Sequence, residues 1–247
     1  MKKGSERMAE IYAVASGKGG VGKSTFTAGI SKALSALGKK VLAVDCDIGL
    51  RSLDLLLGCD EQVVFDWGDG ILGRCTPERA VITGDVDFIA APRKYDDAFS
   101  GEALCEMLGG LIDKYDYVFF DAPAGVGEGF EIAVTAADKL IAVTTADSIC
   151  VRSCGAACIE AERLGVSDRK LVINMFEVRP AVRRKLLNLD ECVDETCTPL
   201  LGVVPIDRVL AYASVTGIHP DEFSPSAQAF QRIAKRITGE RVELICE

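Results

Sequence analysis

The stretch from Ser16 to Thr25, SGKGGVGKST, matches G-x-x-x-x-G-K-[ST] at Gly17, Gly22, Lys23 and Ser24. Glycines at these points let the backbone turn its N–H groups inward around phosphate oxygens. A helix starting directly after the loop aims its positive end at the same anion. In that chemistry Gly17, Lys18, Gly19, Gly20, Val21, Gly22, Lys23, Ser24 and Thr25 surround the phosphates of a nucleotide. Lys23 reaches the β- and γ-phosphates, and the Ser24 hydroxyl ligates Mg2+. Lys18 is a second lysine in a loop that needs only one.

Three acidic residues complete the set. Asp121 ends the apolar run YVFFD. A carboxylate at the C-terminal end of a strand beside a phosphate loop can hold Mg2+ through water. The run VDCDIGLRSLD follows another strand and places Asp45 and Asp47 near its tip. Asp45 contributes to the metal shell. Asp47 orients or polarises the attacking water, because phosphoryl transfer needs positioning more than a strong base.

Such residues need a rigid frame, and the rest of the chain supplies one. Strand-like apolar runs lie at 11–16, 41–45, 86–91, 117–121, 139–145, 170–174 and 200–205. Helix-like segments separate most of them: one from the phosphate loop to Gly38, then 101–115, 128–137, 149–164, 207–216 and 226–238. Strands apolar on both faces and separated by helices predict a parallel sheet covered on both sides. The expected fold class is α/β, a three-layer sandwich with a mostly parallel sheet and helices on both faces.

The 247 residues read as one phosphate-loop (P-loop) domain over 11–239, with a disordered N-terminal tail at 1–10 and a short C-terminal tail at 240–247. A 49% hydrophobic, 26% charged composition suits a globular protein with a real core. MKKGSERMAE lacks the apolar stretch of a secretory signal, which predicts a cytoplasmic protein. Met8 offers an alternative start. The net charge of −9 counts against a nucleic-acid partner, since non-specific binding draws on basic surface. None of the ten cysteines forms a Cys-x-x-Cys pair, so free thiols are expected. Cys150, Cys154 and Cys158 recur at helical spacing and are expected to pack inward as small apolar residues. His219, the only histidine, precedes Pro220 in a loop.

KGGVGKST together with VDCDIGLRSLDLLLG, FFDAPAG, VVFDWGDGILG and VVPIDRVLAYAS resembles the MinD branch of the MinD/ParA ATPases. These have a deviant phosphate loop with an extra lysine near its start. The resemblance runs from about Ile11 to the last helix. It implies ATP and Mg2+ as cofactors, an ATP-bound homodimer, slow partner-stimulated hydrolysis, and a role in placing the division septum. It makes Lys18 a residue that acts across the dimer, beside Lys23 and Asp47 in catalysis and Ser24, Asp45 and Asp121 at the metal. It also places Asn174, Pro205 and Asp207 near the adenine. Ser52 departs from the family pattern, where Asn is usual. Arg152, Ser153 and Cys154 stand where acidic partner-binding residues are usual, so the protein partner is MinC-like or another. An Mrp-like metallocluster carrier would need a Cys-x-x-Cys near the C-terminus, and a ParA-like partition ATPase fits poorly with the acidic balance. In the last helix Phe230, Ile233, Ala234 and Ile237 form one apolar face, with Gln231, Arg232, Lys235 and Arg236 opposite, as in a surface helix packed on a sheet. ERVELICE after Gly239 is too short and acidic for a lipid anchor. Membrane contact is therefore expected to be weak or absent, or to run through a partner.

Overall fold

A computed structural model describes residues 9–178, 186–216 and 221–246. Met8, His219, Pro220 and most of the 1–10 tail lie outside these residues. The described chain forms β1 (Glu10–Ser16), α1 (Lys23–Ala36), β2 (Val41–Asp45), α2 (Leu53–Leu57), α3 (Trp67–Ile71), α4 (Pro77–Ala80) and β3 (Asp87–Ile89). Then come α5 (Gly101–Leu108), β4 (Tyr117–Ala124), α6 (Glu128–Thr135), β5 (Lys139–Thr144), α7 (Ser148–Arg163) and β6 (Asp168–Phe176). The chain ends with α8 (Leu189–Thr196), β7 (Leu200–Pro205), α9 (Arg208–Thr216) and α10 (Pro225–Ile237).

The seven strands form one sheet in the order β3-β2-β4-β1-β5-β6-β7. Every pairing between these seven strands is parallel, as expected of strands buried on both faces. Successive side chains of β1 serve opposite layers. Ala13 and Ala15 join a core with Phe130 of α6 and Val151 of α7. Tyr12 and Val14 face Phe26 and Ile30 of α1 and Phe230 and Ile233 of α10. Burying such a side chain as Phe230 or Ile233 is worth roughly 1.5–3 kcal/mol. Cys154 and Cys158 are buried in the first layer as packing residues.

Several boundaries differ from those read in the sequence, each for a local reason. The helix expected over 101–115 is α-helical only to Leu108, where Gly109 has φ 38°; a 3-10 turn, Gly109–Lys114, completes it. The strand expected over 86–91 shortens to Asp87–Ile89, because the carbonyls of Ala90 and Pro92 turn to the N–H groups of Trp67 and Gly49. β4 runs past Asp121 to Ala124. The C-terminal residues carry no regular element, yet the Arg236 guanidinium donates to the Val242 carbonyl at 2.9 and 3.1 Å.

Candidate functional site

β1 lies in mid-sheet between β4 and β5, so the loop after Ser16 emerges where chain connections diverge to either side. In open α/β sheets such a point forms a ligand crevice at the strand tips. The loop is built tightly. Gly22, with φ 83°, turns the chain into α1, and a Cβ there would lie 2.3 Å from the Asn174 amide nitrogen. At the other end, a Cβ on Gly17 would lie 1.9 Å from the Ser153 carbonyl of α7. The buried Asn174 donates from Nδ2 to the Val21 carbonyl at 2.8 Å. Ser16 Oγ donates to the Lys18 carbonyl at 2.9 Å. The loop and the first turn of α1 border a cavity of about 290 Å³, closed on the far side by Ser52, Leu55 and Leu56.

Asp45 and Asp121 stand directly opposite each other in the β2–β4 register, beneath this loop. Asp121 is buried, and its Oδ1 accepts from Thr27 Oγ1 at 2.8 Å. Its Oδ2 is buried without a hydrogen-bond partner. Burial raises this carboxyl, against the charge of Lys23 and the Ser24 and Thr27 hydroxyls. A buried unsatisfied carboxylate oxygen fits a site for a hard cation, which oxygen ligands hold. Ser24 is beside it and accepts from Ser52 Oγ at 3.3 Å.

Asp45 has a second task. Its Oδ1 accepts from Asp47 N at 2.8 Å, and its Oδ2 accepts from Ser52 N and Leu53 N at 3.3 Å each. It thus folds the following loop back over the strand tip. Burial and the neighbouring Asp121 raise its carboxyl to about 7, partly opposed by those three N–H groups. Asp47 is half-buried; burial raises its carboxyl and the Lys23 charge lowers it. Lys23, Asp47, Asp45, Asp121 and Ser24 therefore gather at one set of strand tips.

Lys18 is exposed at the loop's rim. Its charge reaches Asp147, which caps α7 by accepting from Ile149 N and Cys150 N. Asp147 is held below its ordinary value chiefly by the Cys150 N–H, with Lys18 adding to the effect. Of the three α7 residues that depart from the family pattern, Arg152 is exposed, Ser153 half-buried and Cys154 buried.

On the base side, Asn174 touches the loop as described, and Pro205 is buried opposite Phe176 in the β6–β7 register. The Asp207 carboxylate is engaged within the protein. It accepts from Val209 N, Leu210 N, Ser226 N and Ser226 Oγ, tying α9 to α10. Sequence reasoning gave no role to Trp67, Arg51 or Asp66. The Trp67 indole donates to the Asp45 carbonyl at 2.8 Å, and Arg51 forms an ion pair with Asp66.

Comparison with known proteins agrees with this geometry. Residues 7–238 match the ParA family model, described as NUBPL iron-transfer P-loop NTPase. The septum site-determining protein MinD of Synechocystis sp. is 34% identical over 96% of this chain and 92% of that protein. MinD of Helicobacter pylori is 35% identical over 96% and 94%. Among solved structures, the MinC:MinD cell division protein complex of Aquifex aeolicus superposes with a TM-score of 0.88 at 32% identity, covering 96% of this chain and 98% of that one. MinD of Pyrococcus horikoshii complexed with Mg-ADP gives 0.81 at 28%, covering 93% and 96%.

Proposed function

Because the chain belongs to the ParA family of P-loop NTPases, in its MinD branch, we propose that it is an ATP-driven dimerising switch in division-site placement. It is a MinD-type ATPase that uses ATP and Mg2+. The observation that carries the site assignment is the buried, unpartnered Oδ2 of Asp121 behind a glycine-turned loop. In this reading residues Gly17 to Thr25 hold the phosphates, and Lys23 meets the β- and γ-oxygens. Ser24, Asp121 and Asp45 would hold Mg2+, directly or through water, and the bound cation would supply neutralisation of charge on the phosphate oxygens. Asp47 orients the attacking water; burial raises its carboxyl and the Lys23 charge opposes that rise. Asn174, Pro205 and the segment at Asp207 border the adenine.

Lys18 serves the other subunit. It stands exposed at the mouth of the site, while Lys23 and the backbone serve the phosphates of its own. Two copies facing each other across a C2 axis would each present Lys18 to the other's γ-phosphate. A cation supplied in trans can be worth about 10³–10⁵ in rate. Hydrolysis by the single chain is accordingly slow and waits on a partner. A relative forms a complex with MinC. The partner here is MinC-like or another protein that reads the dimer, with no specific nucleic acid involved. The domain is a single ATPase unit over 11–239 working in the cytoplasm. No helix among the described residues is long and apolar enough to cross a membrane. The apolar side of α10 is already used, with Phe230, Ile233 and Ala234 buried.

Light scattering with ATP tests the switch, using Asp47→Ala in parent and variant to slow turnover. The parent is expected to double in mass and the Lys18→Ala form to stay monomeric while still binding ATP. Equal dimerisation of the two would remove Lys18 from the interface.

A further inference from the structure

The segment carrying Asp47 is held by two anchors that differ in kind. The Asp45 carboxylate holds both ends, through Asp47 N at the start and through Ser52 N and Leu53 N at the end. Also at the end, the Arg51 guanidinium reaches away from the nucleotide cavity. Its Nε donates to the Ala91 carbonyl at 2.6 Å, and its Nη2 donates to Asp66 Oδ2 at 3.0 Å. Both members of this ion pair are largely shielded, with side-chain exposures of 14% and 16%. Between the ends, Gly49 N donates to the Pro92 carbonyl at 3.0 Å.

The receiving side is itself fixed. Asp66 caps α3, accepting from Asp69 N at 3.0 Å while its own N–H donates to Asp69 Oδ2 at 3.3 Å. Trp67 N donates to the Ala90 carbonyl, and the fully buried Trp67 indole reaches back to the Asp45 carbonyl. The exit of β3, the start of α3 and the tip of β2 thus form one rigid seat. Arg51 is the side chain that fastens the Asp47 segment into it.

We infer that Arg51 is a positioning residue for ATP hydrolysis, latching the Asp47 segment to Asp66 and Ala91 so that Asp47 is held for the attacking water. The inference rests on the ATPase reading above. Arg51 does not line the phosphate loop's cavity, although its chain neighbour Ser52 does. The latch therefore acts on turnover and leaves nucleotide binding to the loop. A lysine cannot replace the planar fork that reaches a carboxylate and a carbonyl together.

The test uses the full chain and compares wild type, Arg51→Lys, Arg51→Ala and Asp66→Asn. Single-turnover hydrolysis, ATP affinity by calorimetry and urea denaturation are measured on each. Misplacement on the scale of 1 Å can cost about 10²-fold in rate. The Arg51 variants are expected to hydrolyse about 10–100-fold more slowly, with ATP affinity within about threefold of wild type. Asp66→Asn, which keeps shape and an acceptor, should lie between. Combining Arg51→Ala with Asp66→Asn should slow the reaction less than the product of the single effects. If Arg51→Ala does not fold, Arg51→Lys decides. Wild-type rates in the Arg51 variants, or a parallel loss of affinity and rate, would overturn the latch alone. A wild-type chain that hydrolyses no ATP would instead remove the reading on which it rests.

Discussion

Replacing Gly22 with alanine should disturb two things at once. The residue sits at φ 83°, a conformation that costs an L-residue roughly 1–2 kcal/mol. The new Cβ would also lie 2.3 Å from Asn174 Nδ2, far inside contact distance. The amide must move, and it then loses its 2.8 Å bond to the carbonyl of the buried Val21. Leaving that acceptor unpaired costs about 1–3 kcal/mol. The sum, roughly 2–5 kcal/mol, is a large part of the 5–15 kcal/mol typical of a domain. The protein should fold, with a clearly lower urea midpoint. Asn174→Ala alone should cost about 1–3 kcal/mol by the same lost bond. In the double variant the colliding amide is gone, so only the φ cost of Gly22→Ala remains on top. The two changes should therefore cost less together than the sum of each alone, by on the order of 1–3 kcal/mol. Urea denaturation of the four proteins reads this directly. Strict additivity would show that Asn174 does not set the shape of the loop.

Two further outcomes follow from the same structure. Asp45 is raised to about 7 by burial and by Asp121, above the range of an unfolded carboxylate. The native state then holds the extra proton, so its contribution is full at low pH and is lost as pH rises through 7. Stability of the metal-free protein should fall by at most about 1.4 kcal/mol per pH unit between the ordinary carboxylate range and pH 7, and Asp45→Asn should flatten that slope; equal slopes in both proteins count against it. Co-sedimentation with anionic liposomes should find no ATP-dependent binding through α10, since Phe230 and Ile233 are buried against α1 and β7. Robust binding that Arg232→Glu with Lys235→Glu removes would show that the helix leaves its seat.

Much of this architecture was legible because each strand is a continuous apolar run, and each long helix has a start or stop residue. The phosphate loop was legible because its spacing is nearly all of its mechanism. Short elements were not. α3, WGDGI, contains two glycines and has no helical periodicity; its stability comes from the Asp66 capping box and the burial of Trp67. Nothing local in the sequence announces that Trp67 meets Asp45, because the contact joins residues 22 apart. Arg51 was visible only as one letter of a family motif. The resemblance places Asp207 beside the base; that its carboxylate also caps α9 and bonds to Ser226 is a pairing the motif does not reveal. Asn174 is different again. A strand-end amide is commonly a turn former, and only the fold shows it bonded to Val21 across the sheet.

The sheet's β3 edge bears on how copies of this chain can meet. Ile82, outside the named strands, makes an antiparallel bridge to Phe88. Ile82 N donates to the Phe88 carbonyl at 2.8 Å, and Phe88 N returns a bond to the Ile82 carbonyl at 2.9 Å. The outward rungs of a three-residue edge strand are thereby occupied. An incoming strand finds no open ladder there, so that edge is protected from edge-to-edge aggregation. Self-association by lengthening the sheet is closed at this border. A second copy must be recognised away from this edge, and a contact made there by side chains and loops can be made and broken by a ligand as a continuous ladder of backbone bonds cannot.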